Sequence, residues 1–174
     1  MVYNYMLSLL TEYSSRICAF VAAAFTVCFL LCGFSSAAFA QVSTLQELNF
    51  GEFISTRNDA QYSITVNLDG SYSFSSGAFY EIAAPSIGIY EFTGLTPNAN
   101  VTNITITQTS PLISSGATSF QMINFQTFSL PVTTLLGTLE VRVAGTARTS
   151  GNGLLYPDRT YTGGINIDVT LEPN

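Results

Sequence analysis

The alternation of apolar and polar positions is most regular near the end of the chain. In Tyr161 to Leu171 (Y-T-G-G-I-N-I-D-V-T-L), Ile165, Ile167, Val169 and Leu171 fall on one face, and Asn166, Asp168 and Thr170 fall on the other. Period two is the pattern of a half-buried strand. Fully burying such side chains is worth roughly 1.5–3 kcal/mol each before entropy is counted. This segment is therefore predicted to be structural.

The same reading predicts strands further upstream. Leu48 to Phe53 is the first predicted strand, after a polar lead-in from Gln41 to Glu47. Tyr62, Ile64, Val66 and Leu68 alternate with polar residues, and Ser71 to Ser75 alternates around Tyr72 and Phe74. Asp69-Gly70 between these runs is a β-hairpin signal. Ala78 to Ala83 is a short candidate. Ile87 to Phe92 is apolar on both faces, as a central strand would be. Gly94 to Asn100 reads as a turn, Val101 to Thr107 as a β-branched strand, and Ser110-Pro111 with Ser114 to Gly116 as loop. Phe120 to Leu130 is long, apolar on both faces and bounded by Pro131. Leu139, Val141 and Val143 alternate with Glu140 and Arg142. Gly145 to Asp158 reads as a long Gly/Ser/Thr-rich connector.

These segments predict an all-β domain of seven to nine antiparallel strands, arranged as a sandwich, with a barrel as the alternative. The absence of clean ten-residue alternating segments argues against an outer-membrane barrel. The length, 174 residues, suits one such domain.

The first forty residues have a different pattern. Arg16 precedes a long uncharged apolar run, which ends in small residues and Ala38-Phe39-Ala40 before Gln41. This is the layout of a secretory signal peptide, with a leader helix over residues 1–40 and cleavage after Ala40. The domain is then 41–174. A retained membrane anchor is the alternative, because the run approaches bilayer-spanning length. The three cysteines, Cys18, Cys28 and Cys32, all fall in the leader. The exported chain would contain no disulfide and no thiolate metal site. Leu31 stands where lipidation at Cys32 would require a small residue.

Composition narrows the chemistry. Charged residues make up only 9% of the chain, the net charge is −6, there is no His, and every basic residue is Arg. Nothing here forms a cationic footprint for nucleic acid or anionic lipid. Without His or Lys, Ser-His-Asp and Ser-Lys catalysis, Schiff bases and Lys–Asn cross-links are excluded. A metal site would need carboxylates alone. The sequence therefore predicts no catalytic residue, cofactor or metal. Carboxylate pairs, Glu81 with Glu91 or Glu140 with Asp168, could do acid/base work. Solvated strand positions, with Arg142 facing Asp168 across a sheet, are the simpler reading. Asp69-Gly70 lacks the ligand spacing of a calcium loop. Leu130 to Thr134 resembles a sortase signal but lacks its terminal Gly. Tyr72, Phe74, Phe79 and Tyr80 could form an aromatic platform for sugar rings. Asn100-Val101-Thr102 and Asn103-Ile104-Thr105 match glycosylation sequons.

Three runs carry a family resemblance: L-N-F-G-E-F (Leu48 to Phe53), L-G-T-L-E-V-R-V (Leu136 to Val143) and the terminal Y-T-G-G-I-N-I-D-V-T-L. Together they resemble a family of small exported Gram-negative proteins catalogued as domain of unknown function 4402. Phe50, Gly51, Gly137, Tyr161 and Gly163 stand at its characteristic positions, and it implies no catalytic residue. The end runs are also similar to archaic chaperone-usher pilins and spore coat protein U domains. That likeness implies an Ig-like sandwich that accepts a strand from a neighbour. The missing disulfide, the short segment Gln41 to Glu47 and the long connector depart from that pattern. The expectation is a secreted, non-enzymatic structural or adhesive protein of the periplasm or cell surface. Its partners would be copies of itself or other surface proteins, and no membrane would be spanned by the exported chain. A carbohydrate-binding module and a carboxylate-dependent hydrolase are the alternatives.

Overall fold

The computed structural model of the chain describes residues 40–114 and 118–172. Apart from Ala40, the predicted leader lies outside these residues, including Ala38 and the cysteines. So do Ser115 and Gly116 of the predicted loop.

The described residues form ten strands and no helix. They are β1 (Gln41–Gln46), β2 (Glu52–Ser55), β3 (Ser63–Val66), β4 (Tyr72–Phe74), β5 (Phe79–Ala83), β6 (Gly88–Thr93), β7 (Asn100–Ile113), β8 (Ser119–Ser129), β9 (Leu139–Arg148) and β10 (Thr162–Glu172). One sheet runs in the order β1-β6-β9-β8-β7-β10, with β3 also on β9 and β4 on β3; β2 and β5 form a separate ribbon. Every pairing is antiparallel. The large sheet curls into a half-barrel.

The curl has a local cause. β7 and β8 pair only at Leu112↔Phe120 and Ile113↔Ser119. Beyond that point β8 follows β9 and β7 follows β10. Where they part, the Gln108 side-chain oxygen accepts the Met122 N–H at 2.8 Å, replacing a ladder bond. The β7–β10 ribbon then lies over β6 and β9. Ile104, Ile106, Ile165, Ile167 and Val169 pack on Phe92, Leu139, Val141 and Val143. The alternation predicted for the last strand is observed, and its apolar face is half-buried.

A second core cluster is built from Phe50, Ile64, Val66, Phe79, Phe120, Met122 and Ala147. Phe120 is its aromatic hub, with ring centroids 4.1 Å from Tyr156, 5.2 Å from Tyr161 and 5.9 Å from Phe53. Offset and edge contacts at such distances add to simple burial.

The β3–β4 hairpin forms at the predicted turn, and β6 is internal, between β1 and β9. Four boundaries differ from expectation. Gln41 to Gln46 is a strand, not a lead-in. The strand predicted over Leu48 to Phe53 starts only at Glu52, because Gly51 has φ +88° and a Cβ there would meet the Ala83 carbonyl oxygen at 2.6 Å. Ser110-Pro111 continues β7; Pro111 sits where the β7–β10 register slips, so no ladder hydrogen bond is lost. Gly145 to Arg148 belongs to β9, not to the connector. Gly145, Thr146 and Ala147 are buried because β9 pairs there with both β3 and β8.

β8 contains a bulge. Ile123 pairs with Thr146 and Gln126 with Ala144, so the intervening residues have only one partner position, and Asn124 adopts φ 52°. Before the bulge, Phe120 and Met122 face the core. After it, Phe125 faces in while Phe128 is exposed.

Candidate functional site

The β2–β5 ribbon separates its side chains by strand parity. Phe53 and Phe79 face inward with centroids 4.9 Å apart. Ile54 pairs with Tyr80 on the outer face, and Ile82 lies two residues further along. These three are 56%, 68% and 58% exposed. Tyr72 comes instead to the inner side of the ribbon, where its hydroxyl donates to Glu81 at 2.8 Å. That interaction raises the Tyr72 pKa. The four rings considered as a sugar platform are therefore not a row. Phe79 is core, Tyr80 faces outward, and Tyr72 and Phe74 belong to another strand. Glu52, Glu81, Phe74 and Phe79 line a shallow cleft with a cavity volume of about 10 Å³, no more than water-sized and far below the size usual for small-ligand pockets.

The carboxylates are distributed differently from the sequence expectation. Glu140 lies directly opposite Glu91 across β9 and β6. Like charges at that position repel, and Arg142 Nε donates to Glu140 Oε1 at 2.9 Å, offsetting the repulsion. Arg142 therefore pairs with Glu140 and not with Asp168. Asp168 lies on β10, separated from β9 by β8 and β7 in the sheet, and accepts from Asn166 Nδ2 at 2.8 Å. Glu81 is on the ribbon, bonded to Tyr72, and does not share a strand pair with Glu91. No group of three or more acidic or sulfur ligands able to hold a metal occurs among the described residues.

The open edges are the other exposed feature. β1 is hydrogen-bonded only to β6, and all six of its residues are exposed, including Val42 at 55% and Leu45 at 59%. β10, at the opposite end of the sheet, pairs only with β7. Unpaired N–H and C=O groups along such edges are templates for another strand. Ala40 is exposed immediately before β1, and Gln41 is its first residue.

The residues of the family motifs have structural positions. Phe50 is core, at 7% exposure. Gly137 has φ +69° and its position leaves no room for a Cβ beside the Leu95 carbonyl, whose own N–H donates to the Gly137 oxygen at 3.0 Å. Tyr161 meets Phe120 edge to face, and Gly163 lies against the Pro111 carbonyl.

One cluster had no clear sequence signal. Asn58, only 2% exposed, gathers the loop after β9. Its Nδ2 lies 3.1 Å from Ser150 Oγ, 2.8 Å from Asn152 Oδ1 and 2.7 Å from the Leu154 oxygen. Its Oδ1 accepts the Gly151 N–H at 2.8 Å, and its backbone oxygen accepts the Gly153 N–H at 2.7 Å. Next to it on the surface, Arg57 forms an ion pair with Asp59 at 2.8 Å, and the Tyr62 hydroxyl donates to Asp59 at 2.8 Å. These donors lower the Asp59 pKa to about 2, the Arg57 hydrogen bond contributing most.

In comparisons with known proteins, no family model, no curated protein and no solved structure matches this chain.

Proposed function

We propose that the chain is an exported, non-enzymatic structural or adhesive protein of a Gram-negative envelope, associating through its sheet edges with copies of itself or with other surface proteins. The observation that carries this reading is β1, a strand with one hydrogen-bonded edge and both faces exposed. Such a strand adds little burial to its own fold, and its hydrogen bonds can be remade on another sheet. Cleavage after Ala40 would leave β1 at the start of the exported chain, free to leave β6 without threading. The motif resemblance to exported and pilin-like Ig sandwiches supports the same reading, as does the scarcity of charge. Exposed sugar-binding or hydrolytic sites find less support, since neither a row of rings nor carboxylates in a deep cleft is present among the described residues.

The test is the size and thermal stability of the protein purified from periplasm and from the cell surface, with and without residues Gln41 to Gln46. Concentration-dependent polymers that disappear on deletion of β1 support assembly through this strand. A stable monomer at every concentration, unchanged by the deletion, would overturn it and leave a surface binding module.

A further inference from the structure

We infer that Asn152-Gly153 is a latent site of spontaneous deamidation, held shut by Asn58. It is the single Asn-Gly step in the sequence. At such a step the following backbone nitrogen can reach the side-chain carbonyl unhindered, because glycine has no Cβ. The Gly153 nitrogen, once it loses its proton to base, attacks Asn152 Cγ. A C–N bond forms, the Cγ–Nδ2 bond breaks, and Nδ2 leaves as ammonia. The resulting cyclic imide takes up one water and opens at either carbonyl. One opening yields aspartate, and the other yields isoaspartate with the main chain rerouted through Cγ.

Two features of the loop act in opposite directions. Asn152 Oδ1 accepts from Asn58 Nδ2 at 2.8 Å and from the Leu154 N–H at 3.0 Å, and two donors on a carbonyl oxygen make its carbon more electrophilic. The Gly153 N–H, however, is bonded at 2.7 Å to the backbone oxygen of Asn58, a residue 2% exposed. Attack requires removal of that proton, and base cannot take it while the bond holds. The side chain is also tethered through Oδ1, which restricts its rotation toward the nitrogen. Proton loss comes before attack, so the closed loop protects despite the polarised carbonyl. Reaction then waits for local opening.

The two products differ. Aspartate keeps an oxygen where Asn58 Nδ2 and the Leu154 N–H can find it, so the loop can close again. Isoaspartate lengthens the main chain by one carbon and cannot keep both the Oδ1 and the Gly153 bonds to Asn58. Opening is therefore recorded permanently in a fraction of the molecules.

The experiment is peptide mapping by mass spectrometry after incubation in mildly alkaline buffer. It compares the protein as isolated, the same protein in urea, Asn58→Ala, and Asn58→Asp, which keeps an acceptor for Gly151 but loses the Nδ2 donors. The other asparagines in the digest serve as internal references. Deamidation at Asn152 should be at least about tenfold slower in the folded protein than in urea, the factor set by roughly 1.4 kcal/mol of local opening. Both variants should move the rate toward that in urea while the reference asparagines stay unchanged. The comparison of folded and urea-treated wild type decides the matter even where a variant fails to fold. Equal or faster reaction in the folded protein, or a folded Asn58→Asp variant with the wild-type rate, overturns the inference.

Discussion

Asn58 and Gly151, 93 residues apart, are joined by a hydrogen bond of 2.8 Å from the Gly151 N–H to Asn58 Oδ1. The carboxamide of Asn58 thus serves a backbone group that the end of β9 has left without a strand partner. Asn58→Ala removes this acceptor together with the donors to Leu154 and Asn152. Each partly buried group left unpaired costs about 1–3 kcal/mol, and a total loss of about 3 kcal/mol is expected. Urea unfolding of the variant measures it directly. A change below about 0.5 kcal/mol, the size of an ordinary surface substitution, would mean that water replaces the side chain without penalty.

Gly137 and Gly70 both have positive φ, +69° and +81°, but different surroundings. At Gly70 nothing lies near the missing Cβ, so Gly70→Ala should cost only the backbone term, about 1 kcal/mol. At Gly137 the Leu95 carbonyl occupies the space a Cβ would need. Gly137→Ala should cost at least twice as much, about 2–4 kcal/mol, because steric displacement adds to the strain. Equal losses for the two variants in thermal unfolding would show that the Leu95 turn yields freely.

Asp59 provides a pH test. Its folded pKa is depressed to about 2 by the Arg57 guanidinium and the Tyr62 hydroxyl. A depressed carboxyl favours the folded state above its unfolded value, near 3.9. That contribution is lost as pH falls from about 4 toward about 2. Arg57→Gln should raise the Asp59 midpoint toward the ordinary value in an NMR titration. It should also flatten the acid limb of stability in the same window. An unmoved midpoint would assign the shift to Tyr62 and the local backbone.

Burial separates Val141 from Leu45. Val141 is 0% exposed beneath the β7–β10 ribbon, whereas Leu45 is 59% exposed on β1. Val141→Ala should cost about 2–3 kcal/mol and Leu45→Ala no more than about 0.5 kcal/mol. Denaturant midpoints decide this. A large loss at Leu45 would show that β1 is anchored more firmly than its exposure implies.

Strands with one buried face were legible in the sequence, because alternation in β3 and β10 mirrors the difference between core and solvent. β1 was not legible: both its faces are exposed, so no burial contrast shaped its residues. The end of β9 was missed for the opposite reason. Gly145, Thr146 and Ala147 are sequestered among neighbouring strands and carry no large apolar signal. The proposed aromatic platform conflicted with period-two geometry from the start, since Phe79 and Tyr80 are adjacent in a strand and must face opposite ways. Pairing of Arg142 with Asp168 required a strand order that local pattern does not encode. Asn58 looked like any loop asparagine; its role depends on residues more than ninety positions later.

The bulge at Asn124 acts on β8 as a frameshift acts on a message. Upstream, even-numbered residues read into the core; downstream, odd-numbered ones do, leaving Thr127 opposite the fully buried Val143 and Ser129 opposite Val141. Phe128 and Leu130, the larger apolar residues, are read out to solvent at 55% and 60% exposure. Deleting the single residue Asn124 would close the bulge and restore one frame along the strand, with Phe125, Thr127 and Ser129 still read inward and Phe128 and Leu130 still read out. The extra residue and the bulge that absorbs it thus act together: the intact sequence paired without a bulge would turn Phe128 and Leu130 inward and the partly buried Thr127 and Ser129 out to solvent.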